Sequence, residues 1–127
     1  MKLETTNRVI PLQCEPAIQL HDVASIELAP DEMVTFTTPG GGEYDVCRKD
    51  WGFFATPSLN GRLLGYGLHA VLCKSAEGKY MVMLVETEKK LPFHEYIDRY
   101  GYAIVTWLDS DESLGQVADA INPAPLF

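Results

Sequence analysis

The sequence predicts an α+β fold with a mostly antiparallel sheet: N-terminal β-hairpins, then a ββαβα half with two short helices on one face. Three observations carry this. Short segments alternating apolar and polar residues fill the first half; two strongly apolar runs flank a five-residue, glycine-containing connection; and helical periodicity appears only after residue 90. Strands early and helices late argue for α+β rather than alternating βαβ units. At 127 residues the chain fits one domain, 1–127, able to bury about two-thirds of the surface its unfolded form exposes.

Residues 1–16 are polar with Pro11 and Pro16 and read as an extended arm or edge strand, leading into a β-rich part over 17–48. There, 17–20 and 24–28 read as two short strands around His21-Asp22. Pro30-Asp31-Glu32 marks a turn, since proline presets φ and Asp can bond its own backbone. Met33–Thr37 and Glu43–Cys47 alternate with period two on either side of Pro39-Gly40-Gly41-Gly42, which predicts a hairpin. The glycine triplet is not read as a phosphate loop. A phosphate loop opens a helix, and here Glu43 and a strand follow.

Residues 49–67 form an irregular crossover segment. Residues 68–121 form the ββαβα part. Leu68–Cys73 and Tyr80–Val85 predict a hairpin apolar on both faces, hence central and covered on each side by other elements or a second subunit. Pro92 in a first turn, with Phe93, Tyr96, Ile97 and Tyr100 on one face, predicts a helix ending at Gly101. Tyr102–Leu108 predicts a buried strand. Asp109, with Glu112 three residues on, predicts the capped start of a final helix with Leu114, Val117, Ala118 and Ile121 inward. Asn122-Pro123 stops it, and 122–127 form a tail ending in Leu126 and Phe127.

Composition narrows the function. Net charge is −8, which argues against a nucleic-acid backbone or an anionic membrane as partner. No apolar run reaches the roughly 20 residues that span a bilayer, and the N-terminus has no hydrophobic signal core, so a cytoplasmic location is expected. The three cysteines, Cys14, Cys47 and Cys73, are odd in number and widely spaced, which predicts neither a disulfide framework nor a structural zinc site. No metal and no cofactor is predicted.

Catalytic constellations are sparse. His69 and Cys73 share a strand face, yet residues four apart on a strand lie about 13 Å apart, too far for a shared metal or direct proton transfer. His69 therefore reads as a hydrogen-bonded structural histidine. His21-Asp22 reads as a turn pair and His94 as exposed in a helix first turn. The carboxylates near Asp109, Asp111 and Glu112 are explained by capping.

The segment around 48–67 is where ligand chemistry concentrates. From Arg48 to Lys74 four cations (Arg48, Lys49, Arg62, Lys74) stand against Asp50, a local net of +3 within the acidic chain. Its glycines let backbone approach a ligand. Arg62 and Arg48 supply positive charge, Asn60 both a donor and an acceptor, and Trp51 and Tyr66 an aromatic wall. The same composition also suits a packed crossover with Trp51, Phe53 and Phe54 in the core. The candidate binding residues are thus Arg48, Trp51, Asn60, Arg62 and Tyr66. They predict a non-catalytic binding or accessory module for a small anionic ligand or a protein partner, working as a homodimer. The alternative is a small enzyme on an anionic metabolite, with Arg62 as anion anchor and His69 or Asp50 as acid–base.

Overall fold

The computed structural model describes residues 1–12, 18–121 and 125–126. The expectations placed on Cys14, Pro16, Ala17, Asn122-Pro123 and Phe127 lie outside the described residues. The fold is α+β with antiparallel sheets, as the sequence pattern implies. Its elements run β1 (Lys2–Leu12), β2 (Ile18–Glu27), β3 (Met33–Thr37), β4 (Glu43–Lys49), β5 (Gly52–Ala55), α1 (Arg62–Gly65), β6 (Leu68–Lys74), β7 (Tyr80–Glu86), a 3-10 turn at Thr87–Lys89, α2 (Lys90–Tyr100), β8 (Ala103–Trp107) and α3 (Asp111–Ala120).

Where the sequence reading takes 1–127 as one domain, the chain divides into two compact units, residues 1–36 with 44–56, and residues 37–43 with 57–127. The first unit is all β. β1 and β2 form a two-stranded antiparallel ribbon from Lys2↔Glu27 to Leu12↔Ile18, with a bulge between Thr5 and Arg8. β2 is therefore one continuous strand, and His21-Asp22 lies inside it rather than at a break between two short ones. Asp22 is held there by Arg8, whose Nη2 donates to Oδ2 at 2.5 Å. β3, β4 and β5 make a second sheet in that order. The core of this unit is thin: among its described residues Leu28 and Asp45 are the buried ones, the latter accepting from Thr35 Oγ1 at 2.6 Å.

The second unit holds the larger core. Its sheet runs β7-β6-β8, all antiparallel, so β6 is central. Val71, Cys73 and Val85 are buried, packed by Phe93 of α2, Tyr102, Ile104 and Trp107. Burial pushes the Cys73 thiol above its ordinary range. β7 departs from expectation: it is an edge strand, and Tyr80, Met81 and Val82 are exposed at its start. Only β6 has a neighbouring strand on each side, so an apolar composition on both faces marks a central strand in one case and not the other.

The helices follow their termini. α2 ends where Gly101 adopts a left-handed conformation at φ 73°, a position a side chain would strain. α3 starts one residue later than the Asp109–Glu112 capping box implies. Ser110, extended at φ −119° and ψ 149°, is the N-cap, and its Oγ accepts from Ser113 N at 3.1 Å. Asp109 is thereby left outside the helix for another partner.

Candidate functional site

The first unit carries an open cleft of about 560 Å3, lined by Met1 and by Lys2, Ile26, Glu27, Leu28, Ala29, Arg48 and Phe53. Its volume lies in the range of small-molecule sites. Local chemistry builds it. Past β2 the chain turns at Pro30-Asp31, with Asp31 at φ +69° and Glu32 N donating to Ala29 O at 3.1 Å. That turn grips β4: Asp31 N donates to Arg48 O at 2.7 Å, and Arg48 N donates to Glu32 O at 2.9 Å. On the other side Arg48 is in register with Phe53 of β5, and its guanidinium stands 5.9 Å from the Phe53 ring centroid.

The acids nearby are already engaged. Glu32 Oε1 accepts from Ala29 N at 2.7 Å and meets the Met1 amine at 3.1 Å. These contacts, the backbone one foremost, hold the Glu32 carboxyl below its usual range. Glu27 pairs with Lys2 at 3.7 Å, and Asp31 with Lys49 at 2.5 Å, which raises the Lys49 ammonium above its ordinary value. Arg48 differs. It is half-buried, and its Nη1 is buried with no hydrogen-bond partner among the described residues. A buried, unpaired guanidinium donor costs roughly 1–3 kcal/mol.

The second unit holds a different array. His69 on β6 presents Nδ1 to Asp109 Oδ2 at 2.5 Å and Nε2 to Thr87 Oγ1 at 3.1 Å. Thr87 is anchored in turn, its N donating to Gly67 O at 3.0 Å. The His69 and Asp109 side chains are 24% and 15% exposed, so the pair is largely covered, while Thr87 is exposed and its hydroxyl donates to Gly67 O at 3.3 Å. Trp107 meets the imidazole edge-on at 6.4 Å. A carboxylate, an imidazole and a hydroxyl in line are the parts of a proton relay. Beside it, Glu86 on β7 accepts a hydrogen bond from Thr38 Oγ1, and a Cβ on Gly40 would stand 2.7 Å from Glu86 Oε1. Gly40 passes close to that carboxylate, and Gly41 takes the left-handed φ of 93° in the same turn.

The five candidate residues divide between the units. Arg48 and Trp51 belong to the first, Asn60, Arg62 and Tyr66 to the second. Arg48 lines the cleft. Trp51 is 69% exposed and stacks on Phe54 at 6.2 Å, and Phe53 is exposed as well, so this aromatic run is a surface and not a core. Asn60 Nδ2 donates to Asp111 Oδ1 at 2.6 Å, tying the irregular segment to the first turn of α3. Arg62 is exposed on α1, its guanidinium 5.7 Å from the Tyr66 ring. Inside α1, Leu63 is fully buried and anchors the segment. Among the described residues no group of three or more His, Cys, Asp or Glu side chains is placed to hold a metal. Among the same residues no helix is long and apolar enough to cross a membrane.

Sequence reasoning passed over Lys2, Ile26, Leu28 and Phe53 as site residues, and over Asp109 and Thr87 as partners of His69. Those pairings span 18 and 40 residues and leave no short-range signal. Comparison with protein-family models, with curated proteins and with solved structures finds no match for this chain.

Proposed function

We propose that this chain is a non-catalytic binding module that takes a small anionic ligand in the cleft of its first unit, with Arg48 as the anion anchor. The observation that carries this reading is the buried, unpartnered Nη1 of Arg48 in a residue that lines the cleft. Guanidinium donors suit carboxylate and phosphate oxygens, and the Phe53 ring and the Ile26 and Leu28 side chains suit a ligand with an apolar body. The net charge of −8 supports a small carboxylate or phosphate ester over a nucleic acid, because a polyanion is repelled by the whole surface. A cytoplasmic setting belongs to the same proposal.

The test is a thermal-shift screen of carboxylates and phosphate monoesters on wild type, Arg48→Met and Arg62→Ala. A ligand at 100 times its Kd stabilises by about 2.7 kcal/mol, well within detection. The shift is expected in wild type and in Arg62→Ala and is expected to vanish in Arg48→Met. An equal shift in Arg48→Met, or none from any anion, sinks the proposal.

One observation favours a second reading. The Asp109–His69–Thr87 array, in the same unit as Arg62, supports a small enzyme on an anionic metabolite, with His69 as general base and Arg62 as anchor. Loss of an observed turnover in His69→Gln, with Arg48→Met unaffected, would favour it over the binding module.

A further inference from the structure

We propose that the β1–β2 ribbon is a self-association surface whose partner is a second copy of this chain. The inference is independent of the ligand reading and rests on the ribbon's own pattern. Cross-strand neighbours share a face, so Leu3 with Ile26, Thr5 with Ala24, Arg8 with Asp22, Ile10 with Leu20, and Leu12 with Ile18 form successive rows on one side. The bulge between Thr5 and Arg8 keeps Leu3 on that side with the later rows. The result is a mainly apolar face interrupted near its middle by Thr5 and by an ion pair in which Arg8 Nε and Nη2 donate to Asp22 Oδ2 at 3.1 and 2.5 Å.

This face is uncovered. Leu3 is 57% exposed and Leu20 47%, and Ile10, Leu12 and Ile26 are exposed as well. A two-stranded ribbon on its own is marginal in water at best, and needs further strands or a packing layer to hold. At about 3.4 Å per residue its 11-residue strand extends roughly 37 Å, long enough for a substantial contact.

The row order selects the occupant. A two-fold axis running along the strands, between two ribbons about 10 Å apart, lays β1 of one copy over β2 of the other. Every row then meets its own row: Leu3 faces the partner's Ile26, and Ile10 faces the partner's Leu20. Arg8 faces the partner's Asp22, so the two ion pairs close into a ring of alternating charge. An axis across the strands would set Arg8 on the partner's Arg8. The charged row therefore specifies one mode of docking and penalises the other.

Sedimentation equilibrium on four variants tests this. Wild type is expected at twice the 14.1 kDa of one chain. Arg8→Asp and Asp22→Arg are each expected at the single-chain mass, since each ribbon face then carries charges of one sign. Mixed in equal amounts, the doubly negative and doubly positive ribbons are expected to recover the double mass. The variant Arg8→Asp/Asp22→Arg keeps the ion pair within the ribbon and is expected to stay dimeric, which separates docking from folding. Leu20→Glu is expected to be monomeric with an unchanged far-ultraviolet spectrum. A wild type that stays monomeric up to about 100 μM, above any useful dimer Kd, overturns the proposal. So does a mixture that fails to recover the double mass, a monomeric double variant, or dimers that ignore Leu20→Glu.

Discussion

Removing His69 tests whether the second unit is held by its polar array as well as by its apolar core. The imidazole is three-quarters covered, and Asp109, at 2.5 Å, is covered still more. A hydrogen bond with a charged partner contributes roughly 1.5–3 kcal/mol net, and a covered carboxylate left without its donor costs roughly 1–3 kcal/mol. His69→Ala also loses the edge-on contact with Trp107. The expected cost is therefore about 3 kcal/mol for His69→Ala and about 2 kcal/mol for Asp109→Ala. The double variant removes both partners together and leaves neither stranded, so it should cost about 1.5–2 kcal/mol less than the sum. Urea denaturation followed by Trp107 fluorescence on a Trp51→Phe background reads this directly, because Trp51 is exposed in the other unit. Coupling below about 0.5 kcal/mol, the range of independent sites, would refute the reasoning and reduce the array to surface hydrogen bonds.

Two further outcomes follow from the helix start and the acid side of the first unit. Ser110→Ala is expected to destabilise the second unit by about 1 kcal/mol in urea denaturation, and Glu112→Ala hardly at all, because the hydroxyl of Ser110 caps α3; the reverse ranking would restore Asp109–Glu112 as the cap. Glu32 has a carboxyl held below the ordinary glutamate value of 4.5, so its contribution is fully present above that pH and is lost as pH falls through the lowered folded value. Glu32→Gln should therefore lower stability near neutrality and converge on wild type as pH falls below about 4.5, which flattens the acid limb of the stability–pH curve; parallel curves would discount the Ala29 and Met1 contacts.

Most of the second unit was legible from local pattern, since its signals are short-range. The β6–β7 hairpin follows from two apolar runs and a turn, and α2 from its four-residue periodicity and Gly101. What escaped is set by distance along the chain. β6 and β7 are both apolar on each face, and nothing local states that β8 pairs with one of them and not the other. Asp109 looked like a cap because capping is the nearest use for an Asp before a helix. Its actual partner lies 40 residues upstream. Residues 49–67, read from the sequence as an irregular crossover, hold β5 and α1, with Leu63 buried within α1. Its reading as a single ligand-bearing ribbon joined residues that fold into different units. Of the five candidate residues, Arg48 lines the cleft, because the turn at Asp31 and the register with Phe53 place it there.

The two proposals share a physical origin in the thinness of the first unit's core. A unit of this size that buries Leu28 and little else among its described large apolar side chains has scant hydrophobic free energy to set against backbone entropy. Its apolar surface has not vanished; it lies on the ribbon face and on the cleft walls at Ile26 and Phe53. Whatever binds there adds burial the chain lacks, so ligand and second copy both act as stabilisers by mass action. The second unit, with β6 covered on both faces, has no such dependence. Melting of the first unit should then rise with protein concentration and with anion concentration separately, while that of the second stays fixed. Ile26 belongs both to the ribbon's first row and to the cleft. If both proposals hold, anion binding and dimer formation share Ile26, and each is expected to change the other's affinity by the same factor.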